Sequence, residues 1–198
     1  MGTSWKKKNI AQKFNTYNDM LENILGFNYV FKYINSDSTV KTILDFGCGP
    51  GKVAERLAKF NNSYNIIAVD ESKSMLEIAS KKHKNSRIQY ELIKDDKLDF
   101  ISSNSIDCVI VCFVFINNSS KKRIYKIVQE IFRILKPDKP IIILDSNPDA
   151  IGTKFSTFTN GEKNKRYKCG EKKQQILVIP NEDNLILHDF YWSREFYN

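Results

Sequence analysis

Three glycines at alternating positions are the residues of this sequence best placed to do chemistry. Gly47, Gly49 and Gly51 lie in the stretch ILDFGCGPGKVAERL, after an apolar run and before a helical pattern. Glycines between a strand and a helix let backbone N–H groups and the helix N-terminus approach a ligand closely. The spacing is not that of a dinucleotide site, because Lys52 stands where the third glycine belongs, nor that of a P-loop, because Val53 follows Lys52. The remaining pattern, D-x-G-x-G-x-G, predicts a site for another ligand.

Two acidic residues stand beside this loop. Asp70 ends an apolar run 21 residues after Gly49, a separation at which a carboxylate can accept hydrogen bonds from the hydroxyls of a ribose. The alternative role of Asp70 is the N-cap of the helix that follows. Asp45 comes shortly before Gly47, beside a predicted buried strand, where an unpaired charge is costly. The position of Asp45 therefore favours a cationic ligand nearby.

From residue 41 onward, apolar runs alternate with helical patterns. Strands are predicted over KTILDF, YNIIAVD, IQYELI and PIIILD, and one long buried strand over SIDCVIVCFVFI. Helical spacing appears between them in GKVAERLAKF, ESKSMLEIASKK and KKRIYKIVQEIFRILK. Near-continuous Val/Ile runs separated by helices indicate a parallel sheet that is covered on both faces. Right-handed crossovers then predict a doubly wound α/β fold with a mostly parallel sheet.

The segments on either side of this core have a different character. Residues 6–34 show helical spacing that is interrupted at Gly26, and a second short helix is predicted over FNYVFKYI. After Asp145 comes a polar, basic stretch with neither helical nor strand period, followed by ILVIP and NLILHDFYW, which predict a β-hairpin. We therefore expect an N-terminal helical segment over residues 1–40, a core over residues 41–148, and a basic loop with a hairpin cover over residues 149–198.

Four motifs, in order, resemble those of the class I (Rossmann-like) S-adenosylmethionine-dependent methyltransferases. The first motif of that family is similar to LDFGCGPG, the second to AVDESKSMLEIA, the strand-four motif to SIDCVIVCFVF, and the last to EIFRILKPDKPIIILD. The resemblance covers about residues 9–148, and its departure at Asp138-Lys139 affects only a turn. It implies S-adenosyl-L-methionine as the cofactor and S-adenosyl-L-homocysteine as the product. The implied reaction is methyl transfer to a small-molecule acceptor by in-line displacement.

The resemblance also implies which residues contact the cofactor. Asp70 matches the acid that holds the ribose hydroxyls, and Asp45 would face the methionine end. Either Asp95 or Asp96 matches the acid placed against the adenine amino group, and the choice between them stays open. The implied contacts, taken together, are Asp45, Gly47, Cys48, Gly49, Gly51, Asp70, Glu71, Met75, Asp95, Asp96, Phe113 and Tyr17.

Three of these residues have a second interpretation. Met75 would pack on the adenine, Phe113 would line the methionine side, and Tyr17 would lie over the cofactor from a leading helix. Each also fits a place in the hydrophobic core, because apolar residues at helical or strand spacing usually belong there.

The C-terminal cover is expected to hold the acceptor. Small-molecule members of the family often carry a loop and a hairpin after strand five, and the corresponding segment here is rich in aromatic residues: Phe155, Phe158, Tyr167, Phe190, Tyr191 and Trp192. His188 is the only histidine of this segment and the candidate general base. A lone histidine on a strand more often has a structural role.

Two other functions stay open at this point. The net charge of +8 and the basic segment over residues 154–173 are compatible with an RNA or protein acceptor, although such a run is more often a solvated loop. The second alternative is a non-catalytic module that binds S-adenosylmethionine. It is motivated by the end of the sequence, which comes before the last helix and strands of the family and so predicts a truncated fold with an uncovered sheet edge. Such an edge favours self-association.

Composition bounds the remaining possibilities. No apolar run approaches the roughly 20 residues that a membrane-spanning helix needs, and the N-terminus has no apolar signal segment. The four cysteines show no disulfide spacing, and with two histidines in the sequence a metal site is not expected. We therefore expect a cytoplasmic protein with no membrane partner.

Overall fold

A parallel β-sheet forms the centre of the protein. The computed structural model describes residues 2–197. The strands of this sheet are β1 (Thr42–Phe46), β2 (Asn65–Asp70), β3 (Ile88–Leu92), β4 (Cys108–Cys112) and β5 (Ile141–Leu144). Their order is β3-β2-β1-β4-β5, and every neighbouring pair is parallel. The predicted doubly wound α/β fold is confirmed.

Helices cover both faces of this sheet. In chain order, the α-helices along residues 2–197 are α1 (Lys8–Thr16), α2 (Met20–Glu22), α3 (Asn28–Asn35), α4 (Lys52–Phe60), α5 (Lys73–Lys82) and α6 (Lys121–Ile134). One face packs against α3 and α4, and the other against the apolar side of α6. Successive residues of β1 accordingly belong to different cores: Ile43 packs with α3 and α4, and Leu44 packs with α6. Both side chains are removed from water, which explains the continuous apolar runs.

A second, antiparallel sheet follows the core. It consists of β6 (Thr153–Lys154), β7 (Phe158–Asn160), β8 (Lys172–Leu177) and β9 (Leu185–Phe190), in that order. The hairpin predicted from ILVIP and NLILHDFYW is confirmed in its pairing, but its first strand begins earlier, at Lys172. The expectation that the basic stretch contains no strands is wrong. Its residues form β6, β7 and most of β8. Pairing of β8 with β9, and of β7 with β8, holds them in the sheet in the absence of local apolar alternation.

Two boundaries also differ from the sequence prediction. The chain stays helical through Gly26, within a π-helical turn over Asn23–Phe27 that joins α2 to α3. A Cβ atom at Gly26 would lie 2.7 Å from Leu144, so this glycine allows the helix to approach β5 closely. The long strand predicted over SIDCVIVCFVFI is only five residues long, because Phe113 adopts a left-handed backbone with φ of 56° directly after β4.

Within residues 2–197, no helix has both the length and the apolar character needed to cross a bilayer.

Candidate cofactor and acceptor site

A cavity of about 790 Å³ lies at the carboxyl ends of the parallel strands. Asp45, Asp70, Cys112 and Leu144, at or near the ends of β1, β2, β4 and β5, all contribute to its lining. Its remaining walls come from the N-terminal segment and from the second sheet. Open α/β sheets bind their ligands at this edge, where strand order reverses on either side of the first strand.

The glycine loop forms one end of the cavity. Gly47 and Cys48 donate backbone hydrogen bonds to the Val69 carbonyl at 2.8 and 2.9 Å, which ties the loop to β2. A Cβ atom at Gly47 would lie 2.5 Å from Val114, whereas one at Gly49 would meet nothing within 4 Å. Gly47 is therefore required for packing, and Gly49 leaves the backbone open toward the cavity.

Gly51 has a different place from the other two glycines. It is the N-cap of α4, and a Cβ atom there would lie 2.8 Å from the Tyr90 hydroxyl and 2.9 Å from Ala79. Gly51 is not among the residues that line the cavity. The expectation that it contacts the cofactor does not fit this geometry, because its missing side chain makes room for β3 and α5.

Asp70 connects the end of β2 to the glycine loop. One carboxylate oxygen accepts a hydrogen bond from the Gly49 N–H at 2.8 Å, and the other accepts one from the Ser72 N–H at 2.7 Å. Burial raises the pKa of Asp70, and these backbone hydrogen bonds oppose the increase. The N-cap of α5 is Ser72, whose hydroxyl accepts from the Met75 N–H. Asp70 is thus free of the capping role that the sequence left open.

Asp45 is a buried carboxylate with an unsatisfied oxygen. The side chain is 1% exposed, and its Oδ2 has no hydrogen-bond partner among residues 2–197. Burial, followed by the charge of Asp70, raises the pKa of Asp45 to about 7. An unsatisfied carboxylate in a cavity wall is stabilised by a cationic group nearby. This environment fits the cofactor expected from the resemblance, which carries a positive charge on its sulfur.

The two neighbouring acids after β3 are separated by the structure. Asp96 lines the cavity, whereas Asp95 is exposed and lies outside the lining. Arg123 of α6 binds Asp96 through two hydrogen bonds, at 2.7 and 2.8 Å, and reaches Glu71 at 3.2 Å. The hydrogen bonds to Asp96 raise the pKa of Arg123 further, so this cation stays charged. Sequence reasoning missed Arg123, because a basic residue on the polar side of an amphipathic helix normally points to solvent.

The three residues with two interpretations lie both in the cavity lining and among core residues. Met75, Phe113 and Tyr17 line the cavity, and each also packs against core residues. The Phe113 ring lies edge-on to Phe27, with 6.0 Å between ring centroids. Its left-handed backbone, uncommon outside glycine, is the kind of strain found at functional sites.

Tyr17 joins the N-terminal segment to the second sheet. Its hydroxyl donates to Glu22 at 2.5 Å and lies 3.2 Å from the Thr157 hydroxyl, and its ring packs against residues of β8 and β9. Lys52 of α4 donates to the Tyr17 carbonyl at 2.7 Å. Three parts of the molecule are thereby held around one side of the cavity.

Residues 2–6 also form part of the wall, which the sequence did not indicate. Trp5 donates from its indole nitrogen to Asn117 at 2.8 Å, and its carbonyl accepts from the Ser72 hydroxyl at 2.8 Å. Thr3 pairs with the backbone of His188 in β9, at 2.6 and 3.0 Å. These contacts come from positions that are far apart in the chain, so no local pattern could have revealed them.

The second sheet forms the other end of the cavity. Among the six aromatic residues expected at the acceptor, only Phe155 and Phe158 line it, and their rings stack with 4.6 Å between centroids. Tyr167 and Tyr191 stack on each other outside the lining, and Phe190 and Trp192 are buried in the protein core. The remaining lining of this end is Leu177 and Leu187 together with three polar side chains, Asn160, Gln175 and Asp189.

Strand alternation decides which side chain of β9 faces the cavity. Leu187 and Asp189 line it, and His188 between them does not. Side chains of successive residues point to opposite faces of a strand, so His188 is directed away from the cavity. His188, the candidate general base named from the sequence, therefore lies outside the lining, whereas its neighbour Asp189 lies within it.

The basic segment is mostly at the surface, with one exception. Lys154, Lys163, Lys165, Arg166, Lys168 and Lys172 are exposed. Lys173, however, is buried at 3% exposure and points into the second sheet, where it faces Asp189. It cannot contribute to a surface that contacts RNA or another protein.

Comparison with known proteins finds similarity to methyltransferases. A family profile described as a methyltransferase domain matches residues 43–138. The N-demethylindolmycin N-methyltransferase of Streptomyces griseus is 31% identical over 198 residues, 97% of this chain and 82% of that protein. The demethylmenaquinone methyltransferase of Leptospira interrogans is 31% identical over 144 residues, 69% of this chain and 57% of that protein. A solved structure from Methanococcus maripaludis, assigned as a candidate S-adenosyl-L-methionine-dependent methyltransferase, has a TM-score of 0.61 at 25% identity and covers 74% of this chain and 68% of its own.

Proposed function

Because this chain belongs to the class I S-adenosylmethionine-dependent methyltransferases, we propose that it methylates a small-molecule acceptor bound at the second-sheet end of its cavity. The observation that carries this proposal is the continuity of that cavity. It joins the glycine loop and its carboxylates to an apolar pocket around Phe155 and Phe158. A relative similar over nearly the whole chain is named for the methylation of a small molecule, N-demethylindolmycin, which supports an acceptor of that size.

The residues around the glycine loop would hold the cofactor in a defined direction. Asp70 would accept hydrogen bonds from the ribose hydroxyls, since it ends β2 beside the open backbone of Gly49. Asp45 would lie at the methionine end, where its unsatisfied oxygen compensates the positive charge. Asp96, held by Arg123, would face the adenine together with Met75. When bound, S-adenosyl-L-methionine supplies a methyl group on a sulfonium sulfur, which a well-aligned nucleophile can accept.

The chain itself then contributes alignment and the exclusion of water. The stacked rings of Phe155 and Phe158 and the side chain of Leu187 give the acceptor end apolar walls. Trp5 closes another side, where its hydrogen bonds to Asn117 and Ser72 fix it. Holding two reactants in line removes much of the entropic cost of their encounter, and dry walls strengthen every polar contact inside.

Calorimetric titration tests the cofactor part of this proposal. The wild type should bind S-adenosyl-L-methionine and S-adenosyl-L-homocysteine and should not bind NAD. Asp70→Ala should weaken binding about 100-fold, because hydrogen bonds to a charged group contribute about 1.5 to 3 kcal/mol each. Asp95→Ala is the matched control, since Asp95 is an exposed acid outside the cavity. Absence of adenosyl-ligand binding to the wild type, or equal binding by Asp70→Ala, would refute the proposed site.

A further inference from the structure

We propose that the acceptor is an amine, and that the carboxylate of Asp189 binds its nitrogen and receives its proton. This inference rests on the proposed function, because it assigns the substrate class of the same site. Asp189 is 1% exposed, lines the acceptor end of the cavity, and has no hydrogen-bond partner for either carboxylate oxygen among residues 2–197. A buried carboxylate with two free oxygens needs a donor, and a ligand in the cavity is placed to supply it.

The neighbouring lysine does not fill that role. Lys173 lies directly opposite Asp189 in the pairing of β8 with β9, but its Nζ is 3.8 Å from the nearest carboxylate oxygen. Its short hydrogen bond, at 2.7 Å, goes to the side-chain oxygen of Asn160. Lys173 therefore compensates the charge of Asp189 from a distance and leaves the acceptor positions of both oxygens free.

The surroundings of Asp189 favour a nitrogen donor over other groups. Leu187 follows Asp189 along the same face of β9, and Leu177 and Phe158 continue this apolar wall farther along the sheet, so a charged ligand group entering here loses its water. An ammonium group is compensated by the carboxylate, whereas an acidic acceptor would bring a second negative charge into the same dry space. Asn160 and Gln175, also in the lining, add neutral polar groups that can orient such a ligand.

The chemistry that follows is balanced in atoms and electrons. One proton of the bound ammonium passes to an oxygen of Asp189 and later to solvent, which leaves the nitrogen with a free lone pair. The lone pair of the nitrogen forms the new N–C bond to the methyl group. The C–S bond of the cofactor breaks, and its electron pair stays on the sulfur, which becomes the neutral thioether of S-adenosyl-L-homocysteine.

The protonation of Asp189 suits this role. Burial raises its pKa to about 6, and the charge of Lys173 opposes the increase. Of the other charged groups nearby, Asp145 at the end of β5 has an elevated pKa of about 7, again because of burial, and its oxygens are occupied by Tyr197 and by backbone N–H groups. With a pKa of about 6, Asp189 is mostly ionised at neutral pH. This pKa is also close enough to pH 7 for the carboxylate to accept a proton during the reaction. Below pH 6 it becomes protonated, and the binding of an ammonium should weaken.

Ligand binding to the protein loaded with S-adenosyl-L-homocysteine tests the inference. The probes are phenethylamine, phenethyl alcohol and hydrocinnamate, which share an aromatic ring and differ in the polar group. At neutral pH the wild type should bind the amine at least about tenfold more tightly than the alcohol or the acid. Asp189→Asn should remove this preference and leave the affinity for S-adenosyl-L-homocysteine unchanged. Asp183→Asn, an exposed acid in the turn of the same hairpin, is the matched control.

A second variant separates the proposed role from a structural one. Lys173→Met removes the charge that lowers the pKa of Asp189, so the loss of amine binding on acidification should begin at a higher pH than in the wild type. If circular dichroism shows that Asp189→Asn does not fold, the pH dependence of amine binding in Lys173→Met still tests whether Asp189 binds the amine. An unchanged pH dependence in Lys173→Met would overturn the proposal.

The remaining outcomes are distinct for the two proposals. Binding of S-adenosyl-L-homocysteine without any preference for the amine, or without any binding of the amine, overturns the role of Asp189 and leaves the proposed function standing. An equal preference for the amine in the wild type and in Asp189→Asn also overturns the role of Asp189 and leaves the proposed function standing. Failure of the wild type to bind S-adenosyl-L-homocysteine refutes the proposed function itself.

Discussion

Successive residues of β4 in the parallel sheet, Val109 and Ile110, are both 0% exposed, whereas Ile186 and Leu187 of β9 are 50% and 3% exposed. The difference arises because helices cover both faces of the parallel sheet and only one face of the antiparallel sheet meets the protein interior. The central strands of the parallel sheet have no free face and offer a ligand only their ends. The antiparallel sheet offers every second side chain along a strand. The cavity is therefore lined on one side by the strand ends and loops of the parallel sheet, and on the other by side chains on one face of the antiparallel sheet.

The carboxylates of the two walls differ for the same reason. Asp70 follows a strand end, where the backbone N–H groups of Gly49 and Ser72 are available to it. Asp189 lies within β9, where the backbone N–H groups are engaged by β8 in the ladder or, at His188, by Thr3. A carboxylate on a strand face therefore depends on other side chains or on a ligand. Asp70, at the last position of β2, is therefore positioned before a ligand arrives, whereas Asp189, like Oδ2 of Asp45 within β1, has no donor among residues 2–197.

Alanine substitutions along β4 and β9 give the largest expected effects and test the comparison directly. Ile110→Ala should lower the free energy of unfolding by about 3 to 4 kcal/mol and Val109→Ala by about 2 to 3, since both leave cavities in filled cores. Leu187→Ala should cost about 3 kcal/mol, and Ile186→Ala less than about 0.5. Chemical denaturation measures all four. A large cost for Ile186→Ala would show that both faces of the second sheet are covered, contrary to the comparison.

Glycine-to-alanine changes should have intermediate effects that again separate the two regions. Gly47→Ala should destabilise the protein by about 3 kcal/mol, because its new Cβ lies 2.5 Å from Val114 and its φ is 76°. Gly170, before β8, has φ of 80°, but its nearest atom would be 3.4 Å away, so Gly170→Ala should cost only about 1 to 2 kcal/mol. Thermal unfolding followed by circular dichroism compares them. Equal losses would mean that backbone strain, and not packing against Val114, governs the glycine loop.

Charge reversal in the basic segment should have the smallest effect. Lys163→Glu with Arg166→Glu should change the free energy of unfolding by less than about 0.5 kcal/mol and leave the affinity for S-adenosyl-L-homocysteine unchanged, because both side chains are exposed. A filter-binding series with a short RNA at increasing salt tests the alternative acceptor. Salt-sensitive RNA binding by the wild type that the double variant loses would favour an RNA acceptor over a small molecule.

Much of the core could be predicted from the sequence because its signals are local. Val109 and Ile110 belong to a continuous apolar run, and such runs between helical patterns predict a doubly covered parallel sheet. The glycine loop and Asp70 were identifiable because strand, loop and acid occur at fixed separations along one stretch of chain. The location of the ligand edge followed from that topology alone.

The acceptor wall could not be predicted in the same way. Whether His188 or Asp189 faces the cavity depends on the register of β9 against β8, and one residue of register exchanges the two faces. From the sequence, Lys173 is predicted to belong to a solvated basic segment. In the structure it is buried, because the pairing of β8 with β9 places it opposite Asp189.

The sequence by itself determined the parallel sheet, the glycine loop and the cofactor family, since the relevant residues are neighbours in the chain and their periodicity records which faces are buried. Only the tertiary structure decided that Arg123 holds Asp96, that Trp5 forms part of the cavity wall, and that Asp189 faces the cavity. The partners in the first two contacts lie 27 and 112 residues apart in the chain, and the third depends on the pairing of β9 with β8. Such contacts form only when separate elements pack, and no local pattern of residue types encodes them.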